Sequence, residues 1–185
     1  MEKMKVRELM VPVDHFMRIS SESSFYEALL ALEDAQKQFL AGEGRQRIVL
    51  VEDKDGNIVG KISPIDMIRG LENYDLVEVE KAISRFGLEY VKKPIEDEYR
   101  LWQTPFKDLC RKAASVKIKD FIKIPGEGQT VNIDDPLARA FDCFVIGRHD
   151  SLFVLDGKEI VGLLRFSEVY KRVGEAMKEC ALESG

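Results

Sequence analysis

Residues 47–69 read Arg47-Ile48-Val49-Leu50-Val51-Glu52-Asp53-Lys54-Asp55-Gly56-Asn57-Ile58-Val59-Gly60-Lys61-Ile62-Ser63-Pro64-Ile65-Asp66-Met67-Ile68-Arg69. The apolar run Ile48 to Val51 has the character of a buried strand. Asp53 to Asn57 is a turn, because Gly and Asn tolerate positive φ and Asp bonds its own backbone. Ile58 to Ile62 returns as the second strand. Ser63-Pro64 then opens a helix: Ser suits the N-cap, Pro suits the first helical position, and Asp66 stands three residues after the cap. The unit is a hairpin that runs into a helix N-terminus. Free N–H groups and the positive end of the helix dipole favour an anion there.

The unit recurs. Ser151-Leu152-Phe153-Val154-Leu155-Asp156-Gly157-Lys158-Glu159-Ile160-Val161-Gly162-Leu163-Leu164-Arg165-Phe166-Ser167-Glu168-Val169 repeats apolar strand, Asp-Gly turn, Ile-Val-Gly strand and helix start. Gly60 answers Gly162, an offset of 162 − 60 = 102. Such self-similarity is the mark of a repeat architecture.

Outward from these units the order is also shared. Phe25, Ala28, Leu29, Leu32 and Ala35 form one apolar helix face, and Leu137, Ala140, Phe141 and Phe144 form another after Asp135-Pro136. Short strands precede both helices, at Phe16 to Ile19 and Thr130 to Ile133. Before those, Val6 to Met10 answers Val116 to Ile122, and Val11-Pro12 stops the first of these segments. Ala28 and Ala140 are offset by 140 − 28 = 112, so the first copy carries a ten-residue insertion (112 − 102), placed at Lys37 to Gln46. Each copy reads β-α-β-β-α. Leu71 to Ser115 belongs to neither. Leu76, Val79, Ala82, Ile83 and Phe86 have helical spacing ended by Gly87, and Leu101-Trp102 with Phe106 to Ala114 predict a second helical piece, with Pro105 near its start. This segment is too apolar for a disordered linker.

Composition sets the class. The chain has 185 residues, is 45% hydrophobic and carries a net charge of −5, which fits a globular protein and argues against a nucleic-acid or anionic-membrane partner. Cys110, Cys143 and Cys180 lie far apart without a CxxC, as expected of unpaired thiols in a reducing cytoplasm, and Cys143 falls in an apolar helical pattern. No apolar signal segment follows Met1 to Lys5, and no stretch approaches a membrane span. With only His15 and His149, no histidine metal site is expected. Asp53 to Asn57 resembles a calcium loop only at its start, because Ile58 and Pro64 stand where the loop needs Gly and Glu. Gly42-Glu43-Gly44 and Gly126-Glu127-Gly128 lack the context of a phosphate loop. No nucleophile–base arrangement stands out, so no catalytic residue and no enzyme activity is expected.

On the Gly-strand segments Ile58 to Met67 and Ile160 to Val169, and on the helices opening Ser24 to Leu29 and Pro136 to Phe141, the chain resembles a tandem pair of CBS (cystathionine-β-synthase) domains, a Bateman module. The resemblance implies an α+β fold of two β-α-β-β-α repeats packed as a pseudo-symmetric pair. Repeat 1 spans residues 1–70, a helical insertion 71–115, and repeat 2 with a C-terminal helix 116–185. It further implies clefts that bind AMP, ADP, ATP or S-adenosylmethionine, and association into a homodimer that signals to a regulated protein.

The family's ribose contact is an acid three positions after a Ser or Thr, matched here by Ser63 and Asp66. A carboxylate accepts from ribose hydroxyls, and the Ser hydroxyl reaches ribose or phosphate. Both residues also suit a helix cap. The second copy departs from the pattern: Arg165 (165 − 102 = 63) stands for Ser63, and Glu168 for Asp66. Arg cannot accept from a hydroxyl but pairs with phosphate, and Glu is longer than Asp. The resemblance implies further ligand contacts at Ile19, Arg45, Arg47 and His149, with solvation as the plain alternative for Arg45, Arg47 and His149. The expected function is a cytoplasmic, non-enzymatic sensor of an adenine nucleotide. The alternative is a dimerisation or interaction module with a vestigial cleft.

Overall fold

In the computed structural model, residues 4–42, 47–72, 76–87, 89–92 and 106–183 are described. Each repeat has the expected element order. The first is β2 (Met17–Ser20), α1 (Phe25–Leu40), β3 (Val49–Glu52), β4 (Ile58–Ile62) and α2 (Pro64–Glu72). A short strand β1 (Val11–Pro12) precedes it, and α3 (Leu76–Phe86) and α4 (Phe106–Ser115) follow it. The second is β5 (Thr130–Asn132), α5 (Leu137–Gly147), β6 (Ser151–Asp156), β7 (Glu159–Arg165) and α6 (Phe166–Glu183). The fold is α+β, with a three-stranded sheet ordered β2-β3-β4 and a four-stranded sheet ordered β1-β7-β6-β5.

Local chemistry explains the elements. Ser24 caps α1 by accepting from the Glu27 N–H, while the Glu27 carboxylate takes the Ser24 N–H at 2.7 Å, a reciprocal capping box. In the first hairpin Asp53 Oδ1 takes the N–H groups of Asp55 and Asn57, both at 2.9 Å, and Gly56 adopts φ +83°. The second hairpin turns on Gly157 at φ +62°. Strands β6 and β7 are antiparallel, with a register shift after Val154 that leaves Val161 as the extra residue of a bulge. Strand β5 runs parallel to β6, pairing Val131 with Val154.

Val11-Pro12 does more than stop the leading segment: it pairs antiparallel with β7, Val11 opposite Leu163 and Pro12 opposite Gly162. Pro is tolerated because β1 is the edge strand of its sheet. Gly162 permits the close approach, since a Cβ there would lie 2.7 Å from the Val11 carbonyl oxygen. Pro136 serves as the N-cap of α5, at φ −65° and ψ 144°, and the helix proper begins at Leu137. Helix α1 has 16 residues against 11 in α5, so part of the first copy's insertion lengthens the helix.

By compactness the chain divides into two units. One unit comprises 1–17, 52–60 and 123–185, and the other 18–51 and 61–122. The leading segment of each repeat is built into the other repeat's helix start. Val6 N–H donates to the Asp135 carbonyl at 3.0 Å and Arg7 N–H to Ile133 at 3.1 Å; Ile118 N–H donates to Ser23 at 3.0 Å and Lys119 N–H to Ser21 at 2.9 Å. The two sets correspond at one offset, 118 − 6 = 112 and 119 − 7 = 112. Asp134 accepts from Lys5 and Arg7, and Glu22, its counterpart (134 − 22 = 112), from Lys117 and Lys119.

In the first unit Val6 joins a core of Val131, Leu137, Ala140, Phe144, Leu152, Val154, Leu164 and Val169, with the half-buried Cys143 packed on it. In the second, Phe25 packs on Phe121, ring centroids 6.0 Å apart, and the Phe121 ring fills the space beside Gly70. Helix α3 ends as its spacing predicts, with Gly87 at φ +80° donating its N–H to the Ile83 carbonyl. Helix α4 packs against α1 and α2 of the first repeat. Leu101, Trp102 and Pro105 lie outside the described residues.

Candidate functional site

The chain turns from strand β4 into helix α2 at Ser63, and the first turn of α2 carries Asp66. The Ser63 N–H and hydroxyl both donate to Asp66 Oδ2, at 2.9 and 2.6 Å, and the Asp66 N–H donates back to the Ser63 carbonyl at 3.0 Å. Asp66 therefore caps α2 with one oxygen. Its other oxygen, Oδ1, faces Arg69 Nη1 at 3.5 Å, longer than a well-formed hydrogen bond. The Asp66 side chain keeps 29% of its surface exposed. An ionised carboxylate has about four lone-pair sites, so Oδ1 retains acceptor capacity towards a hydroxyl.

The corresponding junction of the second repeat is built differently. Arg165 ends β7 and Glu168 sits in the first turn of α6. Arg165 Nη2 donates to Glu168 Oε1 in a close ion pair between half-buried side chains. The hydroxyl and carboxylate pairing of Ser63 and Asp66 is replaced by a cation on an anion.

The remaining sequence candidates fall in several places. Ile19 is half-buried on β2. Arg47, exposed just before β3, lies over the Phe39 ring at the end of α1, 4.6 Å from its centroid. Stacking on an aromatic face leaves the in-plane N–H fork of an arginine able to donate. His149 is half-buried between α5 and β6, its ring so close to Gly147 that a Cβ there would lie 2.6 Å from the imidazole. Arg148 beside it takes the left-handed conformation, φ 51°. Arg45 lies outside the described residues. Arg69 was not singled out by sequence, although its spacing three residues after Asp66 on one helix is the signal for such a contact. Among the described residues no group of three His, Cys, Asp or Glu side chains could hold a metal ion, and no helix is long and apolar enough to cross a membrane.

No family model and no curated protein matches the chain. Solved structures do. A hypothetical conserved protein from Geobacillus kaustophilus aligns over 94% of this chain and 98% of its own, with a TM-score of 0.57 at 18% identity. The structure of CBSX2 in complex with AMP aligns over 94% and 98%, with a TM-score of 0.52 at 16% identity. The CBS domain of a bacterial CNNM/CorC family magnesium transporter in complex with ATP aligns over 92% and 87%, with a TM-score of 0.56 at 14% identity. At these identities the likeness concerns the fold, and the fold is that of a CBS-domain pair.

Proposed function

We propose that the chain is a non-enzymatic regulatory module that binds an adenine nucleotide at the β4–α2 junction and passes the binding on as a conformational change. The observation that carries this reading is the Ser63–Asp66 geometry: one carboxylate oxygen fixes the helix start, and the other retains room to accept from ribose hydroxyls. The helix N-terminus favours a phosphate or a carboxylate nearby. Arg47, oriented on Phe39, is the phosphate contact we assign in the first repeat. The nucleotides named in the CBSX2 and CNNM/CorC structures support AMP and ATP as the first ligands to try. A ligand shifts a conformational equilibrium only through its different affinity for the two states.

Thermal unfolding with AMP, ADP, ATP and S-adenosylmethionine, on wild type and Asp66→Ala, tests the reading. A ligand at about 100 times its Kd adds about 2.7 kcal/mol, which for a chain of this size raises Tm by about 5–11 °C. The expected result is a shift with an adenine nucleotide that Asp66→Ala abolishes. No shift at millimolar nucleotide refutes the reading.

A second reading is an interaction module in which Ser63 and Asp66 only cap α2. It is favoured by the apolar side chains left exposed in the unit that holds α1 and α2: Tyr26, Leu29 and Leu30 on α1, and Ile65 and Ile68 on α2. We assign that surface to a homodimer. Sedimentation of wild type against Leu30→Asp discriminates the readings, since a dimer that is indifferent to nucleotide and lost in Leu30→Asp leaves the interaction module as the function.

A further inference from the structure

The two β–α junctions correspond residue for residue, at 165 − 63 = 102 and 168 − 66 = 102, yet their polar groups are spent differently. At the first, the partner of the acid is a small hydroxyl. Both donors from Ser63 converge on Oδ2, which leaves Oδ1 facing a guanidinium 3.5 Å away whose side chain is 44% exposed. At the second, the partner of the acid is the guanidinium of Arg165, in direct contact with Glu168 Oε1. The Arg165 side chain is only 24% exposed, so this cation is withdrawn from solvent further than Arg69 is.

Both junction bonds are charge-assisted, but in the Arg165–Glu168 pair donor and acceptor are both ionised, which adds a Coulomb attraction that a hydroxyl on a carboxylate lacks. Removing one partner from a half-buried pair leaves the other charge poorly solvated. A ribose hydroxyl entering at Glu168 meets a carboxylate already held by a cation at Oε1, and a guanidinium where the first repeat has a small hydroxyl, so it competes with that pair while offering only a neutral donor.

We propose that Arg165 is the residue that sets how many nucleotides one chain binds: paired with Glu168, it closes the second repeat's junction to ribose and leaves Ser63–Asp66 as the single nucleoside site. This rests on the nucleotide-binding reading above and adds to it a stoichiometry and a cause. The arginine acts as a built-in occupant of the carboxylate that would otherwise take the sugar. The same pair competes with the phosphate role that the sequence alone allows for Arg165, since Glu168 already holds Nη2.

Titration calorimetry with AMP and with ATP reads this out. The variants are Arg165→Ser/Glu168→Asp, which copies the first junction into the second, and Ser63→Arg/Asp66→Glu, which copies the second into the first. Each is first checked for an unchanged unfolding profile. Wild type is expected to bind one nucleotide per chain, Arg165→Ser/Glu168→Asp two, and Ser63→Arg/Asp66→Glu none. In an Asp66→Ala background, the Arg165→Ser/Glu168→Asp exchange restores one. Two nucleotides on wild type overturn the proposal, as does a failure of Arg165→Ser/Glu168→Asp to gain a site. Weaker ATP binding in Arg165→Ser alone, with AMP binding unchanged, also overturns it, because it makes Arg165 a polyphosphate contact. Failure of the Ser63–Asp66 reading looks different: wild type then binds nothing or is indifferent to Asp66→Ala, while the gain on opening the Arg165–Glu168 pair persists.

Discussion

Replacing Ile118 by alanine tests whether the exchanged leading segments are held by burial or by charge. Ile118 is 0% exposed, in a single helical turn (Ile118–Asp120) whose backbone bonds to Ser23 and Ser21. Substitution removes the transfer free energy of the lost carbons, about 0.8 kcal/mol each, and adds a cavity term. Together these place the loss in the range of about 2–5 kcal/mol found for Ile→Ala in cores. At about 2–4 °C per kcal/mol for a chain of this size, Tm falls by about 4–20 °C. The ionic alternative is the Glu22 clasp, whose Lys117, Lys119 and Glu22 side chains are all about half exposed. Solvent and salt screen such groups. Urea unfolding of Ile118→Ala, Ile118→Val and Glu22→Gln, each at low and at high salt, separates the two. Burial predicts a large loss for alanine, about 0.5–1.5 kcal/mol for valine, and a small, salt-sensitive effect for Glu22→Gln. If Glu22→Gln lowers the midpoint more than Ile118→Ala does, the reasoning is wrong.

Two glycine substitutions should act in opposite directions. Gly162→Ala drives a Cβ to 2.7 Å from the Val11 carbonyl and should cost about 1–3 kcal/mol as β1 is displaced from β7. Gly174, inside α6, has nothing within 4 Å of its Cβ position, so Gly174→Ala should add about 0.5–1 kcal/mol through helix propensity; denaturant midpoints read both. Acid should loosen both leading segments. Lys119 and then Lys117 hold the Glu22 carboxyl below its ordinary pKa, and Lys5, with Arg7 adding to it, does the same for Asp134. Because the folded-state values are depressed, this stability is complete above the unfolded-state carboxylate values. It is lost as pH falls from there through the lowered folded values. Unfolding midpoints measured from pH 7 to pH 3 should decline less steeply below the ordinary carboxylate range in Glu22→Gln/Asp134→Asn than in wild type.

The order of elements was legible because it is encoded over short distances. Gly56 and Gly157 take the positive φ that the hairpins need, Ser24 and Glu27 close a capping box, and Gly87 ends α3 where the apolar spacing stops. The exchange of leading segments was not legible, and the reason is physical. Hydrophobic burial has no direction. The pattern of Val6 and Ile118 says that each is buried, and nothing in it says against which of two similar repeats. The charges did carry that information, because Lys5, Arg7 and Asp134 repeat as Lys117, Lys119 and Glu22 at a constant offset of 112. A clasp conserved between copies in charge but not in residue type is hard to see by matching letters. Pro12 misleads for a related reason: it ends a helical turn wherever it stands, but whether the next residues pair with a sheet edge depends on a strand some 150 residues away.

At the candidate site, residue types were legible and bonding was not. Ser63 and Asp66 stand out by spacing, and spacing equally suits a cap or a ligand contact. The structure gives the carboxylate a division of labour, Oδ2 to the helix start and Oδ1 towards the weakly held Arg69. Capping and ligand contact therefore do not compete for the same lone pairs, and Asp66→Asn separates them. An amide oxygen placed at Oδ2 still accepts from Ser63 and keeps the cap, while the NH2 group placed at Oδ1 donates where a ribose hydroxyl needs an acceptor. The expected outcome is an unfolding midpoint near that of wild type with the nucleotide shift gone, and a variant that loses stability yet keeps its nucleotide shift assigns Asp66 to the cap alone.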